Sequence, residues 1–384
     1  MTLWKLMAGL GRREVLAAGL LAIATSYGFS GAIGPAAAQE TIKLGFIGPL
    51  SGGNAQQGLG ARNGFLLAIQ QANDSGYPHK VEGEVLDDAS DPQTGVAAAL
   101  KLVNDPAVVA AIGHWNSPVA LATTPVFDRA GVPFIIWGAI SPKVTEQNFP
   151  VVTRVTPTLT QENEPLATWI AGDHGKKKIA IVSDTSDYGA QNTAAFTEFL
   201  EAAGGSVIAT EAAPVGTTDF RTILTKLKAM EPEGIYFGGV ITEAGLVRKQ
   251  MFDLGMDIPM YGISGIYDPK FLEIAGEAAE GTIVAVPKVK ENEKLDALMA
   301  AYEAANFPEP AGPYAKYAYD ATNILLAVIK EHGTEDKQQL AKAIRDISHD
   351  GVLGTTTFDA NGQTQIDVIV DIYVAKGGEW TQWQ

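Results

Sequence analysis

The stretch TIKLGFIGP, residues 41–49, decides the fold. Its apolar run is short and is cut off by Gly48-Pro49, so it reads as a buried strand closing on a turn. Residues 60–73 then space Phe65, Leu66, Ala68, Ile69 and Ala72 along one helical face. Residues 81–86 alternate as a strand, 92–103 form an alanine-rich helix, and 108–112 and 132–137 read as further strands. This rhythm predicts a parallel sheet with helices on both faces.

The rhythm restarts after Arg154. Strands are expected at 178–183, 206–212, 234–238 and 260–262, with helices at 190–203, 220–230 and 242–254. Longer helices are expected at 295–305, 314–332 and 337–347. The tail, 351–383, returns to strand-like patterns with a turn at Asn361-Gly362. Two α/β lobes without a disordered linker predict a cleft between them, where ligands commonly bind.

Length and composition agree with this. A chain of 384 residues suits two domains, and 46% apolar against 19% charged residues allows substantial cores. The formal charge of −16 argues against nucleic-acid binding and favours solubility. There is no cysteine, which excludes disulfides, zinc–thiolate sites and cysteine nucleophiles.

Residues 1–38 read as an address. Lys5, Arg12 and Arg13 precede an apolar run at 15–23, and small residues end in Ala36-Ala37-Ala38. This is the pattern of a cleaved signal peptide, with the mature chain starting near Gln39 or Glu40. The run is shorter than the roughly 20 residues that span a bilayer. Arg12-Arg13 is similar to a twin-arginine export signal, with an ordinary secretion signal as the alternative.

Signals for catalysis are absent from the sequence. The five histidines form no H-x-x-x-H spacing, and there is no G-x-S-x-G elbow or Walker loop. The glycines Gly58, Gly60 and Gly64 miss the dinucleotide spacing by one residue and do not directly follow a strand. His114 reads as a structural hydrogen-bonding residue. No enzyme activity, cofactor or metal is expected.

Ser117-Pro118 follows a strand and opens an apolar helical run. Serine is a favoured N-cap and proline a favoured first helical residue. The free N–H groups of such a helix start also attract an anion. Spacing alone reads Ser117 as a cap. Residues 137–142 (WGAISP) repeat the Ser-Pro device at the end of the next strand.

The ordered set TIKLGFIGPLSG (41–52), DDASDPQ (87–93), IGHWNS (112–117), Tyr188-Gly189, Gly238-Gly239 and AGEAAEG (275–281) resembles the Leu/Ile/Val-binding protein family. Its members are periplasmic substrate-binding proteins of branched-chain amino-acid-type ABC importers, and the resemblance covers essentially the whole mature chain. It implies a type I periplasmic-binding fold: two parallel-sheet α/β lobes with a hinge and an interlobe cleft, joined by three crossovers. Matching positions imply lobe 1 at 39–157 plus 288–345 and lobe 2 at 158–287 plus 346–384. The implied partners are an inner-membrane permease and its ATPase subunits. The implied location is the periplasm, and the implied state is a monomer. A sensory ligand-binding protein is the alternative of another class.

The resemblance also assigns candidate ligand-binding residues. Ser117, with Asn116 beside it, matches the seat of the ligand carboxylate. Gly138 and Ile140 offer backbone groups. The family's threonine hydroxyl falls at Ile140, so Ser141 would replace it only if the backbone shifts. Tyr188 matches a tyrosine that covers the ligand from the second lobe. Gln57 and Val240 stand where the family often has aromatic rings. Ser264 stands where the family has the acid that pairs with the ligand ammonium, and an unpaired buried ammonium is costly. Two ligands remain open. The preferred one is a carboxylate without an α-amino group, apolar or aromatic, with Phe46, Trp115, Trp137 and Tyr267 as possible walls. The other is an amino acid using a relocated acid. Asp184 is one candidate, and Glu243 and Asp268 are two more that are expected to face solvent.

Overall fold

The computed structural model describes residues 40–383, so the expected leader at 1–38 lies outside the described residues. The first lobe is built on five strands in the order β2-β1-β3-β4-β5, all parallel. They are β1 (Thr41–Gly48), β2 (Lys80–Asp87), β3 (Val108–Gly113), β4 (Phe134–Ile136) and β5 (Val152–Arg154). Helices α1 (Ala55–Asp74), α2 (Pro92–Val103), α3 (Ser117–Ala130) and the single turn α4 (Lys143–Glu146) connect them. Every residue of β3 is buried, as a parallel strand covered on both faces requires.

The chain then crosses to a second sheet through α5 (Leu159–Ala171). Strands β6 (Lys178–Asp184), β7 (Ser206–Ala213), β8 (Gly234–Gly238), β9 (Met260–Ile263) and β10 (Ile283–Lys288) run parallel. Helices α6 (Asp187–Ala202), α7 (Arg221–Lys228), α8 (Ile241–Asp253) and α9 (Pro269–Ala275) link them. The chain returns to the first lobe through α10 (Glu293–Ala304), α11 (Ala315–His332) and α12 (Lys337–Asp346).

After α12 comes a hairpin of β11 (His349–Gly351) and β12 (Gly354–Thr356). Between these strands, the Val352 amide donates to buried Asp320 of α11 at 3.0 Å. Gln363 then pairs with Arg154 at the end of β5. Only at β13 (Ile369–Lys376) and β14 (Glu379–Gln382) does the tail join the second sheet, antiparallel to β10. The expectation that residues 346–384 belong wholly to the second lobe is therefore revised. We propose that the third crossover falls at 366–369.

The sequence reading leaves 152–171 and 269–288 without elements. The signals were local. Thr158 and Gln161 form a reciprocal capping box at the start of α5. Asp268 accepts from the Lys270 amide, with Pro269 as the first residue of α9. The glycine series 58–64 serves packing: a Cβ on Gly60 or Gly64 would overlap the carbonyls of Ala311 or Ala315. These glycines let α1 and the start of α11 lie backbone to backbone.

Candidate functional site

A cavity of about 520 Å³ opens between the lobes beyond the carboxyl ends of the strands. The first lobe contributes Trp115, Asn116, Ser117, Gly138 and Ile140, and the second contributes Asp184, Ser186, Tyr188, Val240 and Glu243. Tyr314, just before α11, completes the wall. Six of the nine sequence candidates are thus brought together: Asn116, Ser117, Gly138, Ile140, Tyr188 and Val240.

Ser117 is the first helical residue of α3 rather than its cap. Asn116 holds the N-cap position, with extended backbone at φ −80° and ψ 126°, and its side chain makes no capping bond. The first-turn N–H groups of α3 are therefore not closed off by an Asn116 cap. Ser117 Oγ accepts from the Ser141 amide at 3.2 Å, which ties the two Ser-Pro turns together. Ser141 itself does not line the cavity. Its Oγ donates to Gln191 Oε1 on α6 at 2.7 Å, a bond between the lobes.

Arg154, which sequence reasoning passed over, holds this arrangement in place. It is fully buried. Nη1 donates to the carbonyls of Ala139 at 3.1 Å and Ser141 at 2.5 Å, and Nη2 to Thr145 Oγ1 at 3.1 Å. Nε donates to Gln363 Oε1 at 2.6 Å. Burial lowers the guanidinium pKa to about 9, against the pull of Glu146 and Asp359. One side chain thus fixes the turn that carries Gly138 and Ile140 and anchors the returning tail.

The loop after β2 is similarly built. Asp87 accepts from the amides of Leu50 and Ala89, at 2.8 and 2.7 Å. Ala89 and Ser90 both adopt left-handed backbone. Buried Asp88 and His114 meet at 2.7 Å, which gives His114 the structural role expected of it.

Several expectations change. Gln57 is withdrawn from the cavity: its Nε2 donates to Asp268 Oδ2 at 2.5 Å, a buried bond between the lobes. Asp268 and Glu243, expected to face solvent, are buried. Glu243 accepts from the Gly216 amide at 2.8 Å and Asp184 from the Ser186 amide at 2.9 Å. Burial raises the pKa of Asp184 and of Asp268. Trp115 lines the cavity, but Phe46 and Trp137 stack on each other in the core at 5.6 Å. Tyr267 does not line the main cavity but a crevice beside Gln57 and Trp380 and a small chamber beside Ile140 and Tyr314.

Ser264 lies outside the main cavity, and beside it is an acid that the sequence reading did not single out. Glu162, in the first turn of α5, is fully buried, and its Oε2 accepts from the Ser264 amide at 3.0 Å. Burial raises its pKa to about 7, against the pull of Ser264. The capping box at Thr158 was the available clue, since it places Glu162 at a helix start just beyond the crossover.

A family model described as periplasmic binding protein matches residues 41–378. The leucine-, isoleucine-, valine-, threonine- and alanine-binding protein of Pseudomonas aeruginosa is 32% identical over 328 residues, covering 85% of this chain and 87% of that one. The crystal structure of a leucine-binding protein from Thermotoga maritima superposes with a TM-score of 0.81 at 25% identity, covering 89% of this chain and 98% of that one. A solute-binding protein of an R. palustris ABC transporter, solved with benzoate, shares the fold with a TM-score of 0.78 at 21% identity, over 89% and 95% of the two chains. Among the described residues, no helix is long and apolar enough to cross a membrane.

Proposed function

The chain belongs to the periplasmic binding protein family, and from that premise we propose that it captures a small carboxylate between its lobes for an ABC importer of the branched-chain amino-acid type. The start of α3 facing the interlobe cavity carries this reading. Its free N–H groups and the Ser117 hydroxyl suit a carboxylate. Tyr188 stands in the wall of the opposite lobe with a buried hydroxyl that has no partner among the described residues. A ligand touching both lobes favours the closed form by its differential contacts. The closed monomer would then dock on a membrane permease with its ATPases, from the periplasm.

The preferred ligand lacks an α-ammonium group. Three features support this. Ser264 replaces the expected acid. The carboxylates in the cavity wall are already acceptors for backbone amides: Asp184 from Ser186, Glu243 from Gly216 and Asp91 from Thr94. Lys316, which has no acid partner among the described residues, lies on the wall of a side chamber sharing Ile140 and Tyr314 with the cavity. An ammonium ligand is the second reading, favoured by those same acids in the wall and by relatives named for amino acids.

Leucine and 4-methylpentanoate differ only by the ammonium group, so the two readings separate in a thermal melt. A ligand at a hundredfold excess over its Kd stabilises by about 2.7 kcal/mol. The acid should raise Tm and leucine should not. A rise with leucine alone would overturn the preference, and no rise with any carboxylate would overturn the carboxylate seat.

A further inference from the structure

Behind Ile140 and Tyr314 lies a side chamber of about 20 Å³, also lined by Thr156, Glu162, Ser264 and Lys316. That volume holds one water-sized group, and such a group needs two to four polar partners. The chamber offers them. Glu162 Oε1 and Thr156 Oγ1 are buried and have no hydrogen-bond partner among the described residues. Orphaned buried atoms of this kind call for a bound group. The other oxygen of Glu162 accepts from the Ser264 amide, and the Ser264 hydroxyl also lies against this carboxylate.

Charge decides what kind of group fits. A cation entering the chamber would meet Lys316, and an anion would meet Glu162. A neutral group that both donates and accepts avoids either conflict. We infer that this chamber is a specificity subsite that receives a hydroxyl group at the end of the ligand remote from its carboxylate. The ligand O–H donates to Glu162 Oε1, and the ligand oxygen accepts from the Thr156 hydroxyl. The ligand class is therefore a small hydroxy acid with its two polar groups at opposite ends. This rests on the carboxylate reading above.

Matched pairs test it: benzoate against 4-hydroxybenzoate, and hexanoate against 6-hydroxyhexanoate, titrated calorimetrically into wild-type protein. The hydroxylated member of at least one pair should bind about tenfold tighter, the preference expected from satisfying buried polar groups that otherwise lack a partner. Glu162→Met should reduce that ratio to about one, and Glu162→Gln should keep part of it. Equal affinities within both pairs in the wild type would overturn the subsite, since the chamber would then hold only a water, yet would leave the carboxylate seat standing. Failure of all four acids to bind would overturn the carboxylate seat itself. The wild-type ratio decides the matter even if Glu162→Met does not fold.

Discussion

Replacing Arg154 with methionine keeps much of the buried volume and removes every donor. Two carbonyls, those of Ala139 and Ser141, then lose a partner inside the protein, as do Thr145 Oγ1 and Gln363 Oε1. Leaving a buried acceptor unpaired costs about 1–3 kcal/mol, so the two carbonyls alone amount to roughly 2–6 kcal/mol. Removing a buried cation offsets part of this, because desolvation already disfavours the charged form. The expected net loss is about 2–4 kcal/mol, read as a lower urea midpoint at unchanged slope. The same guanidinium holds the turn bearing Gly138 and Ile140, so carboxylate affinity should also fall, by about tenfold or more. Arg154→Lys should lie between, since one ammonium cannot reach acceptors on both sides of the turn. A loss below about 0.5 kcal/mol with unchanged affinity would refute the assignment of Arg154 as the clamp of this seat.

Two further outcomes follow from buried polar groups. Glu162 has a folded pKa of about 7 against an ordinary value of 4.5. The neutral form is favoured by folding, so its contribution is complete below about pH 4.5 and is lost as pH rises through about 7, by roughly 3 kcal/mol in all. Against Glu162→Gln, which carries no such proton, wild-type stability should decline across that window in chemical denaturation, and parallel pH profiles would count against it. Gln57→Ala removes the bond to Asp268 between the lobes. The unliganded protein should then sample more open forms, seen as a larger radius of gyration in solution scattering, and an unchanged radius would show that this bond does not restrain the lobes.

Much of the site was legible because it depends on local patterns. Ser117-Pro118 after a buried strand marks a helix start, and a helix start beyond a parallel strand exposes N–H groups wherever it is placed. Tyr188 came from the family resemblance, and its place beside Gly189 between a strand and a helix agreed with a cleft mouth. Gln57 could not be read correctly from its position, because its partner Asp268 lies 211 residues away. Arg154 and Glu162 carried no outward mark of burial in the sequence, since charged residues are mostly exposed.

By itself, the sequence determined two α/β lobes, a helix start within a residue of Ser117, the exclusion of cysteine chemistry and the absence of an acid at position 264. These follow from periodicity, composition and residue identity, which need no knowledge of distant contacts. Only the tertiary structure decided that Glu162 stands beside Ser264, that Arg154 clamps the Ala139–Ser141 turn, and that Gln363 of the tail meets Arg154. Each depends on segments far apart in the chain meeting where water is excluded, and there a charge or an orphaned carbonyl carries a cost that it would not have in the open chain.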